Sequence, residues 1–182
     1  NLGLIFQDCN NYDKALHYLR LSLKTSNELG DLLGISQLNG NIGSAYRIKG
    51  DYDKAFDYFL ISFNTSKKID DRLGEANSLS NMGNIYFIRG EYKNALNYFS
   101  RALIIREKTE DKLGLGTELT NIGNIHLIKN EYNKAKKLLK KSSLIYKELG
   151  IRANTLLNTT TLLYLAYKYL GEKYNVDKIK QL

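Results

Sequence analysis

Apolar positions in this chain recur in steps of three and four. The mostly apolar stripe Ser78, Met82, Ile85 and Tyr86 keeps to one helical face. After Glu91 a second stripe follows, made of Tyr92, Ala95, Leu96, Phe99, Ala102 and Leu103. Asp71 stands where a carboxylate can accept hydrogen bonds from the amides of a first helical turn. Gly90 stands where a helix stops and turns, and the short gap around it makes the two helices antiparallel. The spacing predicts helix pairs at about 32–49/52–69, 72–89/91–109 and 112–129/131–149. A first half-copy precedes them, and a final helix follows near 154–170.

The pattern repeats every 40 residues: Gly3, Gly43, Gly83 and Gly123 keep that step. So do Tyr12, Tyr52, Tyr92 and Tyr132, Ala15, Ala55, Ala95 and Ala135, and Asn1, Asn41, Asn81 and Asn121. Asp31, Asp71 and Asp111 also keep it, each followed by x-Leu-Gly. One hairpin cannot bury both of its faces, so copies must stack into an all-α solenoid. The expected organisation is a single array over 1–182: a partial copy at about 1–30, copies at 31–70, 71–110 and 111–150, and a divergent stretch at 151–182.

The run Asn81-Met82-Gly83-Asn84-Ile85-Tyr86, then Gly90-Glu91-Tyr92, Ala95, Tyr98-Phe99 and Ala102, resembles the tetratricopeptide repeat. The small residues of that family correspond to Gly83, Ala95 and Ala102, and its large ones to Tyr86 and Phe99. The usual period is 34, whereas this one is 40. Asn39, Leu79 and Leu119 stand where the family carries tryptophan, and the closing proline is absent. The longer form with Asn-x-Gly-Asn is similar to kinesin light chain, to adaptors with leucine-glycine-asparagine repeats and to sensory repeats of bacterial signalling proteins. The resemblance implies a right-handed superhelix of helix pairs whose first helices line the concave face.

On those first helices a polar, uncharged stripe lies opposite the apolar one. It reads Gln37, Asn41, Ser44, Ile48, then Asn77, Asn81, Asn84, Ile88, then Thr117, Asn121, Asn124, Ile128. An amide donates and accepts at once, so a ladder of asparagines suits the backbone of an extended peptide. The resemblance implies the same, since similar asparagines hold peptide backbones in the related adaptors. The other reading is that these amides stitch neighbouring repeats or cap helix turns. Arg47 lies beside the stripe and is suited to a carboxylate. Its equivalents are Phe87 and Leu127, so it is one charge and not a clamp.

Composition narrows the function. Of 182 residues, 43% are hydrophobic and 25% charged, which is globular rather than disordered. The chain has no proline and a single cysteine, Cys9, so neither a disulfide framework nor a cysteine-rich zinc site is available. The net charge of +8 lies in the last third of the chain, because residues 1–120 carry equal numbers of acidic and basic side chains. Lys134, Lys136, Lys137, Lys140, Lys141 and Lys147 crowd one second helix. Such a run fits a nucleic-acid or membrane patch or a solvated outer face; with no nucleic-acid motif beside it, the solvated face is expected.

No catalytic constellation is present. His126 takes the slot held by Tyr46 and Tyr86, His17 is isolated, and Cys9 reads as a small half-buried residue. Asp51, Asp53 and Asp57 lack the glycine and terminal glutamate of a calcium loop, and Asp51 reads as a helix cap. Gly114-x-Gly116 follows no strand, so it is not a phosphate loop. The sequons at Asn64 and Asn158 fall in predicted helices. The stretch Leu162–Leu170 is too short to span a bilayer, and the start lacks the features of a signal peptide. The missing initiator Met predicts a piece of a longer chain.

The sequence therefore predicts a cytoplasmic, non-enzymatic scaffold without cofactor or metal. It would bind a protein or extended peptide through Gln37, Asn41, Ser44, Arg47, Asn77, Asn81, Asn84, Thr117, Asn121 and Asn124. Neither nucleic acid nor membrane is an expected partner. Thr161 and Leu163 replace the Asn and Gly of the motif, and the apolar residues Leu162, Leu163, Leu165 and Leu170 have little following chain to cover them. Self-association through a solenoid end is therefore expected. The alternative is a regulatory or sensor segment of a larger signalling protein: a kinase, cyclase or transcription factor.

Overall fold

The computed structural model describes residues 12–151 and 154–171. Eight α-helices make up nearly all of them, and no strand occurs among the described residues. They are α1 (Tyr12–Leu29), α2 (Leu32–Ile48), α3 (Tyr52–Lys68), α4 (Arg72–Ile88), α5 (Tyr92–Lys108), α6 (Lys112–Ile128), α7 (Tyr132–Glu148) and α8 (Asn154–Tyr169). The all-α class and the helix pairs read from the sequence are both found, and the bounds of the three full pairs agree to a single residue. Asn1, Gly3 and Cys9, and with them the opening of the first hairpin, lie outside the described residues.

The boundaries have local causes. The carboxylates of Asp31, Asp71 and Asp111 accept from the amides of Gly34, Gly74 and Gly114 at 2.9, 2.9 and 3.0 Å, capping α2, α4 and α6. Asp51 caps α3 by accepting from the Lys54 amide at 3.2 Å, as its sequence position predicts. The turn inside each pair needs one residue with positive φ. Gly90 supplies it between α4 and α5 with φ 75°. Asn130 supplies it between α6 and α7 with φ 60°, a conformation asparagine tolerates better than most side chains.

The chain falls into two compact units, Asn1–Ala102 and Leu103–Leu182, divided within α5. In the first, α1 packs on α2, α2 on α3 and α3 on α4, and α2 also touches α4. Gly43 and Gly83 let the second helix of each pair come close. A Cβ added at either would stand 2.7 Å from the ring of Phe59 or Phe99. Ala55, Phe59, Ala95, Phe99 and Ala102 are all buried there. In the second unit α6 packs on α7 and α7 on α8, with α6 touching α8.

At the end of the second unit, Leu163 is buried with Leu127, Ala135, Leu139 and Ala166, and Leu162 packs against them. This corrects the expectation that Leu162 and Leu163 stay exposed: Leu127 of α6 and Ala135 and Leu139 of α7 cover them from the preceding side. The exposed large side chains of α8 are Tyr164 and Tyr169 instead.

Candidate functional site

The first helix of each pair turns one face inward and leaves one facing solvent. In α2 the inward face is Ser36, Leu38, Asn39, Ile42, Gly43, Ala45 and Tyr46. Opposite it, Gln37 is exposed and Asn41, Ser44 and Arg47 are half-buried. In α4 Asn77 is exposed, with Asn81 and Asn84 half-buried. Contact between α2 and α4 brings these two stripes side by side in the first unit. In the second unit Thr117, Asn121 and Asn124 form the same half-buried line along α6.

The stripe is not chemically uniform. Ser44 Oγ donates to its own helix at the Gly40 carbonyl, 3.0 Å away. Thr117 does the same at the Leu113 carbonyl, 3.1 Å, and accepts from the Tyr146 hydroxyl at 3.2 Å. These two hydroxyls therefore serve the fold. Asn41 and Asn77 have partners as well. The amides of Asn81, Asn84, Asn121 and Asn124 make no side-chain hydrogen bond among the described residues. The Nε of Arg47 is buried and likewise lacks a hydrogen-bond partner among them.

The stripe read from the sequence ends on Ile48, Ile88 and Ile128; its other end, at the leucines, was not read. Leu33, Leu73 and Leu113 are exposed at the start of α2, α4 and α6, and Ile48, Ile88 and Ile128 at the end. Each amide line thus runs between an exposed leucine and an exposed isoleucine. The Asp-x-Leu-Gly tetrad already displayed those leucines in sequence, but their spacing alone does not tell a capping contact from a solvent-facing one.

Buried polar networks fix these helices to their neighbours. In the first unit Ser36 Oγ lies 2.6 Å from Ser66 Oγ and 3.3 Å from Ser62 Oγ, and Ser78 Oγ donates to Ser62 Oγ at 3.1 Å. In the second, Thr120 Oγ1 meets Ser142 Oγ at 2.8 Å and Thr159 Oγ1 at 3.0 Å. Ser142 also donates to the Gly116 carbonyl at 2.7 Å. Arg106 donates from Nε to Glu118 Oε1 at 3.2 Å and pairs with Asp111. Rings add a second layer in the first unit. Tyr46 stacks on Tyr58, Tyr86 stacks on Tyr98, and Phe56 packs edge-on against Tyr86 and Tyr98. Burial, reinforced by the neighbouring Tyr86, pushes the Tyr98 hydroxyl pKa up.

His126 occupies the tyrosine slot and places Nδ1 3.1 Å from Glu131 Oε2. Among the lysines of α7, Lys136 lies over the Tyr167 ring at 5.3 Å, and Lys141 sits 3.8 Å from Glu107. Lys137, Lys140 and Lys147 are exposed. Asn64 and Asn158 lie within α3 and α8, and the sequon partners Ser66 and Thr160 are buried. Among the described residues no cluster of His, Cys, Asp and Glu could hold a metal ion, and no helix is long and apolar enough to cross a membrane.

Solved structures share this fold at low identity. BtubC (BKLC) from P. vanneervenii is 18% identical with a TM-score of 0.80, over 94% of this chain and 71% of that one. The apo form of RapI gives 18% and 0.80 over 97% of this chain, which spans only 49% of RapI. The nearly identical TPR-like repeats of a kinesin-light-chain-type protein from Podosopora anserina give 15% and 0.71, over 93% of this chain and 84% of that one. No curated protein matches the sequence. The tetratricopeptide repeat profile matches residues 1–68, 34–108 and 74–148. That coverage, over copies of an antiparallel helix pair closed by Gly83 against Phe99 and its equivalents, makes the chain a member of the tetratricopeptide repeat family.

Proposed function

We propose that this chain binds an extended peptide segment of a partner protein along the amide stripes of its first helices. Protein interaction is the general business of tetratricopeptide repeats, and the fold is typically a non-enzymatic scaffold. One observation carries the finer reading: Asn81, Asn84, Asn121 and Asn124 are half-buried and in phase, with no side-chain hydrogen bond among the described residues. None of their amide atoms is among the buried unpartnered ones, so they reach solvent and stay available to a peptide backbone, which donates and accepts as they do. Ser44 and Thr117 flank the ladder rather than form part of it, because their hydroxyls are committed to helix carbonyls.

Arg47 adds one cation at the rim, suited to a single acidic group of the partner. The setting we propose is cytoplasmic. The test is peptide binding by an Asn81→Ala, Asn121→Ala double variant compared with the parent at equal helical content. Equal binding by both would refute the amide-ladder reading.

A further inference from the structure

Of the arginines among the described residues of the first unit, Arg47 alone has no partner. Arg20 donates to the Tyr46 hydroxyl, and Arg101 lies over the rings of Phe63 and Tyr98. Arg72 pairs with Asp70 at 2.7 Å and with Glu75 at 3.3 Å, and Arg89 pairs with Asp53. Lys49, just beyond Arg47 on the same helix end, is taken by Asp13. Arg47 makes neither an ion pair nor a hydrogen bond among the described residues. Its Nε is buried and unbonded, while its two Nη groups still reach solvent.

A guanidinium keeps its charge at every working pH and carries five N–H donors in a planar fork. Here one donor has lost water without gaining a bond, and no protein carboxylate balances the charge. An anion that reaches the two Nη groups recovers part of that cost, and a carboxylate fits the fork with both of its oxygens. Arg72, on the neighbouring helix, offers no second such point, because Asp70 and Glu75 both hold it.

The position also selects the source of the carboxylate. Asn41 and Arg47 are six residues apart on α2, about 9 Å along the helix axis. A backbone that crosses α2 at Asn41 therefore passes to one side of Arg47, and the group that meets the guanidinium must stand off that line. The side chain of an Asp or Glu does so, whereas a terminal carboxylate lies on the line itself. On α4 the equivalent place is held by Phe87, whose ring packs edge-on against Tyr92. The cation is met once, so a single acidic residue fits and its place along the peptide is fixed.

Resting on the peptide-groove reading above, we propose that Arg47 sets the register of the bound segment by pairing with one internal Asp or Glu side chain.

The test uses the whole chain and four pools of peptides roughly twelve residues long, about 40 Å when extended. All are drawn from Leu, Val, Ser, Asn and Gln except at one central position. Three pools are acetylated and amidated and carry Glu, Gln or Lys there. The fourth carries Gln there and ends in a free carboxylate. The Glu pool is expected to be retained at least ~10-fold better than the Gln pool, a difference of about 1.4 kcal/mol, with the Lys pool weakest. High salt should shrink the Glu advantage. Arg47→Gln should erase that advantage while leaving retention of the Gln pool unchanged, and Arg47→Lys should keep part of it. Arg47→Phe repeats the test with the side chain that the equivalent place on α4 carries, should Arg47→Gln fail to fold. A Glu pool retained no better than the Gln pool, or an advantage that survives loss of the guanidinium, overturns the proposal. The groove itself stands in that case if Asn81→Ala with Asn121→Ala weakens retention of the Gln pool. If the free-carboxylate pool outdoes the Glu pool, the anchor is a chain end and the proposal falls. Retention of no pool overturns the proposal and the groove together.

Discussion

Arg106 donates from Nε to Glu118 Oε1 across 3.2 Å, and both side chains are buried, Glu118 completely. The equivalent positions forty residues earlier are Ser66 and Ser78, which serve a small hydroxyl network instead. An ion pair has therefore replaced uncharged hydrogen bonds at one joint of the repeat. Two charges withdrawn from water cost more than their attraction returns unless each is fully paired. Arg106→Met alone strands the Glu118 carboxylate and should destabilise the chain by about 3–5 kcal/mol. Arg106→Met with Glu118→Leu should recover most of that loss. Urea unfolding midpoints of the three chains would decide it: a double variant no more stable than the single one would mean that the pair does more than balance its own burial.

A glycine sets the spacing within each pair. A Cβ at Gly83 would sit 2.7 Å from the Phe99 ring, closer than a side-chain contact allows. Phe99 is itself buried against neighbours, so relief requires the helices to part. Gly83→Ala should cost about 1–3 kcal/mol by overpacking, despite alanine's better helix propensity. A thermal melt would register it, and an unchanged or raised melting temperature would show that the ring can shift aside.

These two joints differ in how far the sequence announces them. Gly83 and Phe99 lie on the forty-residue lattice, so period and residue size together reveal their contact. The helix ends are equally legible, because Asp31, Asp71 and Asp111 act through bonds three residues away. Glu118 is different. A glutamate on a helix reads as solvent-exposed, and its pairing with Arg106 of the preceding helix does not show in the repeat pattern. The serines at 36, 62, 66 and 78 are hidden for the same reason, since a helical serine looks alike on either face. In the candidate site the amide line and the isoleucines at its end were legible as a period, whereas the leucines at its start were read only as part of the Asp-x-Leu-Gly repeat. Which hydroxyls on that line are already spent depends on rotamers, which a repeat pattern does not encode. Leu163 departed from expectation because its cover comes from α6 and α7, packed on it from the preceding side.

Glu131 begins α7 without a side-chain capping bond. Its carboxylate takes the Lys134 ammonium at 2.6 Å and Lys129 at 3.3 Å. The hydrogen bond from Lys134 is the main cause that draws its pKa down to about 2, with a smaller opposing push from burial. A folded-state pKa below the unfolded one means that the carboxylate contributes stability above the ordinary value of 4.5. That contribution is lost as pH falls toward about 2. Lys134→Gln should move the Glu131 titration upward, toward the ordinary value. Carboxyl-carbon NMR titration of parent and variant measures this directly, and coincident curves would assign the shift to another source.

The lysine-rich face of α7 should be silent in both stability and binding. Lys137 is exposed, and Lys141 sits 3.8 Å from Glu107 with both side chains about half exposed. Pairs of that kind contribute about 0–1 kcal/mol. Lys137→Gln with Lys141→Gln should lower the isoelectric point and leave the melting temperature nearly unchanged. Loss of partner binding in this variant would bring back the reading of α7 as a docking site for an acidic ligand.

The amide ladder makes the most direct functional prediction. An extended peptide offers one backbone amide group every ~3.3 Å, and packed helices lie roughly 8–10 Å apart. Within the first unit, where α2 touches α4, neighbouring amide lines would therefore meet about every third peptide unit, and each hydrogen bond contributes on the order of 0.5–1.5 kcal/mol net. Asn81 and Asn121 are half-buried without side-chain hydrogen bonds among the described residues, so truncating them strands no protein partner. Stability should change by less than about 0.5 kcal/mol. Peptide affinity should fall roughly tenfold or more, the sum of two such bonds. Circular dichroism would show the helices intact, while calorimetric titration with a retained peptide measures the loss. If Asn81→Ala with Asn121→Ala unfolds the chain instead, the two amides hold the repeats together and the ladder is structural.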